Sequence, residues 1–114
     1  MSPSALRWTR VCAVGELADQ QARRVQVEDQ VIALFNVQGQ YFALRDRCPH
    51  GNASLSEGWI EDGEVECPLH QARFDIATGR VMCAPARENV CTYAVKVEAQ
   101  AVLIGLGSNT LQLA

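Results

Sequence analysis

Two short cysteine–histidine runs carry most of the chemistry that this sequence could perform. The first is Cys-Pro-His at Cys48–His50, the second is Cys-Pro-Leu-His at Cys67–His70, and sixteen residues separate them. Thiolates together with imidazoles suit zinc or the iron of an iron–sulfur centre. The chain has two histidines, and both lie in these runs. If both bind metal, no histidine remains for acid–base catalysis, and the sequence predicts no catalytic residue.

The distribution of thiols and imidazoles between the two runs distinguishes two kinds of metal site. A single zinc ion held by two cysteines and two histidines is the simpler hypothesis, because two loops could close a tetrahedral site. Zinc fingers usually take both cysteines from one knuckle and both histidines from one helix. Here each run offers one of each, which favours a binuclear [2Fe–2S] centre with the thiolates on one iron and the imidazoles on the other.

The paired motif resembles that of the Rieske ferredoxins. The family pattern is C-x-H, a spacer, then C-x-x-H, and this chain matches it as Cys48-Pro-His50 and Cys67-Pro-Leu-His70. The likeness continues through residues 70–79 and to residues 83–86, which resemble the proline-containing third loop of the family. The resemblance implies one [2Fe–2S] cluster, with Cys48 and Cys67 on the inner iron and His50 and His70 on the outer iron.

Two departures from the respiratory Rieske proteins indicate a low reduction potential. Leu69 stands where those proteins have a second-loop cysteine, and Ala72 stands where they have a serine. With fewer hydrogen-bond donors aimed at sulfur, the reduced cluster is less stabilised. We therefore expect a potential near the bottom of the Rieske range, roughly −150 mV, which does not suit a quinol-oxidising role.

Short strands separated by turn residues make up most of the remaining sequence. Alternating segments at 24–27, 31–37 and 41–44, and again at 93–97 and 101–106, predict antiparallel hairpins. A last strand is expected at Thr110–Leu113 and one helical turn at Gly15–Gln21. The fold class is therefore all-β. The resemblance implies the Rieske (ISP-like) fold within a single domain of residues 1–114. A small antiparallel β barrel or sandwich base (5–44 and 88–114) would carry an inserted loop-rich cluster-binding lobe at about 45–87.

Composition excludes several classes of partner. The net charge of −3 and the absence of a basic stripe argue against nucleic acid. The apolar stretches are too short for a bilayer span, and no signal peptide is recognisable. Five cysteines, an odd number, disfavour a disulfide framework and indicate a cytoplasmic protein. Cys12, Cys83 and Cys91 are predicted to be small buried hydrophobic residues.

The resemblance implies an electron carrier rather than an enzyme. It points to the ferredoxin component of a bacterial aromatic-ring dioxygenase system, in aromatic hydrocarbon catabolism. Such a carrier takes electrons from a flavin-dependent NAD(P)H reductase, passes them to the terminal oxygenase through transient complexes, and is expected to be a monomer. With both histidines on the cluster, none remains for the mononuclear iron of an oxygenase. The small Rieske-like subunit of assimilatory nitrite reductase and a zinc-binding module remain as alternatives.

Several residues around the second run are candidates for partner contacts. Trp59 and Phe42 could anchor an interface, although core packing is the preferred prediction for Phe42. Arg73 is expected either to pair with Asp75 or to contact a partner. The acidic residues that could steer a basic partner are Glu57, Glu61, Asp62, Glu64 and Glu66.

Overall fold

The computed structural model describes residues 6–49, 51–69, 72–83 and 88–107, and this part of the chain is almost entirely β. It contains one short 3₁₀ helix, Leu55–Glu57, so none of the described residues belongs to a helix that could cross a membrane. The strands are β1 (Arg7–Ala13), β2 (Gln21–Val27), β3 (Gln30–Val37), β4 (Gln40–Arg45), β5 (Trp59–Glu61), β6 (Glu64–Glu66), β7 (Arg73–Asp75), β8 (Val81–Cys83), β9 (Thr92–Glu98) and β10 (Ala101–Leu106).

Six strands form the larger sheet, in the antiparallel order β1-β10-β9-β4-β3-β2. Two of its hairpins turn through two residues that both have positive φ, namely Gln38–Gly39 and Ala99–Gln100. Such turns match the right-handed twist of the paired strands. The hairpins predicted from residues 24–44 and 93–106 are therefore confirmed. β10 has the predicted limits, and the other four strands are each one or more residues longer than predicted.

An ion pair connects the two edges of this curled sheet. Arg7 of β1 donates to both carboxylate oxygens of Glu28, which follows β2, at 2.9 Å each. The enclosed base core contains Cys12, Leu17, Val27, Ile32, Leu34, Ala43, Val102, Ile104 and Leu106.

A second core lies on the opposite face of β3 and β4. Along β3, Ile32 and Leu34 enter the base core, whereas Ala33 and Phe35 enter the second core. Residues 31–35 are accordingly all apolar and do not alternate as expected, because a strand buried on both faces has no polar face. The second core consists of Ala33, Phe35, Leu44, Cys48, Leu55, Val65, Cys67, Ala72, Phe74, Ile76 and Val90.

The other four strands form a separate small antiparallel sheet, β5-β6-β7-β8, between β4 and β9 in the sequence. Its inner face carries Ile60, Val65 and Phe74, in or against the second core. Loops were expected throughout this region, and strands of three residues are too short to show a period in the sequence. The lobe limits at 45 and 87 stay a prediction.

Two local predictions have different outcomes. The helical turn expected at Gly15–Gln21 is wrong: Gly15 (φ 101°) and Gln20 (φ 67°) adopt left-handed conformations that interrupt any right-handed helix. This segment instead makes two turns, one closed by Glu16 N–H to Ala13 O and the other by Gln21 N–H to Ala18 O. The strand expected at Thr110–Leu113 lies outside the described residues.

Candidate metal centre

The first cysteine–histidine run begins at the neck of a tight hairpin loop. Cys48 is 1% exposed, and its N–H donates to the carbonyl of Ala53, five residues on, at 2.9 Å. Immediately outside this bond, Arg47 and Ser54 form an antiparallel bridge. The Arg47 guanidinium donates to Asn52 Oδ1 at 2.6 Å, so the residues that flank the loop also hold its shape.

The second run is built to the same plan. Cys67 is fully buried, and its N–H donates to the carbonyl of Ala72, again five residues on, at 2.7 Å. Immediately outside, Glu66 and Arg73 are paired across β6 and β7. The two loops therefore share one hairpin register, with the cysteine at the same position in each, and both cysteines belong to the second core.

The tips of the two loops approach each other. A Cβ on Gly51 would lie 3.2 Å from Leu69 Cδ2, so a side chain at position 51 would press against the second loop. The Leu69 N–H donates to Cys67 Sγ at 3.4 Å. A donor to a cysteine sulfur stabilises negative charge there, which favours the reduced state of a metal centre over the oxidised state.

The segment that connects the loops is held at both ends. Asp46 is a buried carboxylate that accepts the Ser56 N–H at 3.0 Å, and its carbonyl accepts the Leu55 N–H at 2.7 Å. Further on, a Cβ at Gly58 would lie only 2.2 Å from the carbonyl oxygen of Glu66, the residue before Cys67. Sequence reasoning missed both Asp46 and Gly58, because neither belongs to a motif and their contacts are remote in sequence.

Half of the predicted ligand set lies outside the described residues. These are His50 and His70. Residues 84–86 of the predicted third loop also lie outside the described residues, and the side chain of Cys83 is not described. Within the described ranges, no three histidine, cysteine, aspartate or glutamate side chains converge on one point. The four-ligand assignment therefore stays a prediction, although Cys48 and Cys67 do enter one core.

The structure also shows the burial and contacts of the other residues that the sequence analysis named. Cys12 is buried as predicted, whereas Cys91 is only half-buried, and partial burial raises the pKa of both thiols. Phe42 packs against the second core, as preferred, and Trp59 is 61% exposed. Asp75 does not pair with Arg73, because its carboxylate accepts the Thr78 N–H and hydroxyl instead.

The donor chemistry fits an iron–sulfur cofactor. Two thiols at equivalent positions of matching loops, removed from water and with an N–H donor on one sulfur, form the ligand environment that iron–sulfur iron prefers. The model of the Rieske [2Fe–2S] domain matches residues 7–94 of this chain. The chain belongs to the Rieske family. Its cofactor is accordingly one [2Fe–2S] cluster.

The most similar Rieske relatives include ferredoxins of dioxygenase systems. The chain is 48% identical over 96 residues to the 3-phenylpropionate/cinnamic acid dioxygenase ferredoxin subunit of Escherichia coli, covering 83% of this chain and 90% of that one. It is 44% identical over 100 residues to the ferredoxin component of the naphthalene 1,2-dioxygenase system of Pseudomonas aeruginosa, covering 88% and 96%. Both comparisons span nearly the whole of each relative.

Solved structures of the Rieske family give the same fold. A complex of reduced oxygenase and oxidised ferredoxin in carbazole 1,9a-dioxygenase contains a chain with a TM-score of 0.81 and 34% identity, covering 85% of this chain and 91% of that one. The small subunit of an NADH-dependent nitrite reductase from Mycobacterium tuberculosis has a TM-score of 0.84, but its 23% identity shows the fold alone. The all-β Rieske fold is thus confirmed.

Proposed function

We propose that Cys48, His50, Cys67 and His70 bind the cluster, with the two thiols on one iron and the two imidazoles on the other. The matching geometry of the two loops carries this proposal. Each loop places its cysteine at the buried neck and extends past it toward a tip, and the second tip is partly exposed at Leu69. The histidines follow their cysteines by two and three residues in the sequence.

We propose that the protein is the one-electron carrier of an aromatic-ring dioxygenase system, receiving electrons from a flavin-dependent NAD(P)H reductase and delivering them to a terminal oxygenase. When bound, the cluster accepts one electron at a time and gives it up again. The chain's own residues exclude water from the thiols and hold the two loops. Support comes from the ferredoxin relatives and from the carbazole structure, which pairs a ferredoxin with its oxygenase.

A carrier of this kind works through brief encounters. Transient redox complexes use small interfaces, and a monomer can present the loop tips to a reductase and an oxygenase in turn. Cys12 and Cys91 form no disulfide bond, which supports a location in the reducing cytoplasm. No catalytic site of its own is required, because both chemical reactions occur on the partner proteins.

Two cysteine-to-serine substitutions, one in the proposed site and one outside it, test the ligand assignment. Cys67→Ser should abolish the iron, the inorganic sulfide and the reduced-state EPR signal of the purified protein, because serine is a poor ligand for this iron. Cys12→Ser is the matched control, since Cys12 is an equally buried thiol in the base core, and it should retain all three. Loss of cluster in both variants, or in neither, would contradict the assignment.

The carrier function is tested by reconstitution. Wild-type protein reduced by NADH and a flavin reductase should be reoxidised by a terminal aromatic-ring dioxygenase with its substrate present, whereas the Cys67→Ser variant should support no product formation. Specific transfer to a sirohaem nitrite reductase, with none to the dioxygenase, would instead favour the alternative function.

A further inference from the structure

Arg73 lies at the neck of the second loop. It is the first residue of β7 and is paired with Glu66, the residue before Cys67. Between this pair and the loop lies the backbone bond from Cys67 N–H to Ala72 O. A bulge in the pairing of β7 with β8 falls between Arg73 and Phe74, a feature that often redirects a side chain.

The Arg73 guanidinium faces three carboxylates on the outer face of the small sheet. The distances from its nitrogens are 3.4 Å to Glu66, 3.5 Å to Glu61 and 3.6 Å to Glu64. The strand register explains this convergence, because Glu66 is directly opposite Arg73 while Glu61 and Glu64 form the next row of the same face. One positive charge thus compensates three negative charges beside a proposed cluster ligand.

The environment of these charges is partly shielded from solvent. The side chains of Glu64 and Glu66 are each 24% exposed and that of Arg73 is 39% exposed, so salt and water screen these three less than fully exposed groups. Glu61 is 70% exposed, so its charge is screened more strongly and contributes least. The hydrogen bond to Glu66 raises the pKa of Arg73, which therefore remains a cation.

We propose that Arg73 is a positioning residue of the cluster site, which holds the neck of the second loop through Glu66 and raises the reduction potential by compensating the carboxylates of Glu61, Glu64 and Glu66. This inference rests on the proposed ligation by Cys67. Reduction adds negative charge to the site, so a nearby cation stabilises the reduced state and nearby anions destabilise it.

The reduction potentials of a set of charge variants test this role. Arg73→Gln leaves three uncompensated carboxylates, so its potential should fall below that of the wild type. Glu66→Gln removes one of them, so its potential should rise. The double variant has the same net charge as the wild type and should return toward the wild-type potential. Arg73→Lys keeps the charge and should retain most of the potential. All shifts should shrink as ionic strength increases.

The matched control is Arg7→Gln. Arg7 makes a closer ion pair, with two 2.9 Å contacts to Glu28, but on the base sheet rather than at a loop neck. If ion pairs mattered here through stability alone, this variant would be affected at least as much as Arg73→Gln. We expect its potential and its EPR spectrum to match those of the wild type.

The possible outcomes separate this inference from the proposed function. If wild-type protein contains no iron, no sulfide and no EPR signal, the ligand proposal fails. If the cluster is present but Arg73→Gln and Glu66→Gln both retain the wild-type potential, or the double variant fails to return toward it, the role of Arg73 is refuted. Exposed ion pairs contribute little to stability. Glu66→Gln, which keeps the arginine, tests the same charge effect should Arg73→Gln fold poorly.

Discussion

Cys48 and Cys67 are buried in the second core, and the backbone of each loop fixes where its cysteine lies. In each loop, the cysteine N–H is bonded within the loop, which holds the Cα–Cβ direction before any ligand binds. Preformed ligand geometry of this kind reduces the conformational entropy that metal binding must overcome. The local sequence therefore determines which ligand atoms are present, and the backbone of the loop neck determines the direction of each cysteine side chain.

The two histidines lead to a prediction at the same scale. An imidazole on ferric iron is more acidic than one on ferrous iron, so oxidised protein should lose imidazole protons at a lower pH than reduced protein. The reduction potential should therefore decrease as pH rises into the alkaline range. Protein-film voltammetry from about pH 7 to about pH 11 measures this, and a flat profile would contradict ligation by His50 and His70.

Packing of short elements sets the distance between the loops. The 3₁₀ helix at Leu55–Glu57 is tied to Asp46 before the first loop, and Gly58 then packs against the carbonyl of Glu66 before the second loop. This short connection joins the two necks through contacts with backbone atoms, which cannot rotate away as a side chain can. The spacing of the two thiols depends on it.

Replacing Gly58 tests this connection. In Gly58→Ala the new Cβ would lie 2.2 Å from a backbone oxygen, so the strand before Cys67 must shift. Overpacking of this kind costs about 1–3 kcal/mol, and we expect a lower melting temperature together with reduced iron retention. Gly105→Ala is the control, because its Cβ would meet the Trp8 ring at 3.0 Å, far from either loop. It should lose stability while retaining iron, and equal iron loss in both variants would disprove the coupling.

At the scale of the whole molecule, two cores share the strands β3 and β4. The base core stabilises the curled sheet, and the second core unites that sheet with the small sheet and both cysteines. An exposed ion pair between Arg7 and Glu28 connects the two edges of the base sheet. This pair makes a contribution to stability that varies with pH.

The pH dependence has a definite sign. The hydrogen bond from Arg7 lowers the pKa of Glu28 in the folded protein, so the pair contributes stability above the ordinary glutamate pKa of about 4.3. That contribution is lost as pH falls through the lowered folded-state value. Wild-type protein should therefore be more stable than Glu28→Gln near pH 6, and the difference in urea midpoint should shrink as the pH falls below about 4. A constant difference across this range would show that the carboxylate charge is not involved.

Sequence patterns alone were sufficient for the family, the all-β class and the hairpins of the base. Alternation along a strand and the residues of a two-residue turn are local properties, so they can be recognised without a structure. The cysteine–histidine spacing is equally local. The helical turn at Gly15–Gln21 was wrong because two left-handed residues override a weak helical preference.

Only the tertiary structure decided the partners of Arg73, the close contact at Gly58 and the shared register of the two loops. The sequence offered Asp75 as a partner for Arg73, but the strand register brings it to Glu61, Glu64 and Glu66 instead. Such contacts join residues that the chain separates, and their energies depend on distances set by packing. Local residue chemistry specifies the ligands and the hairpins, whereas the folded chain alone determines which charges and backbone atoms meet beside them.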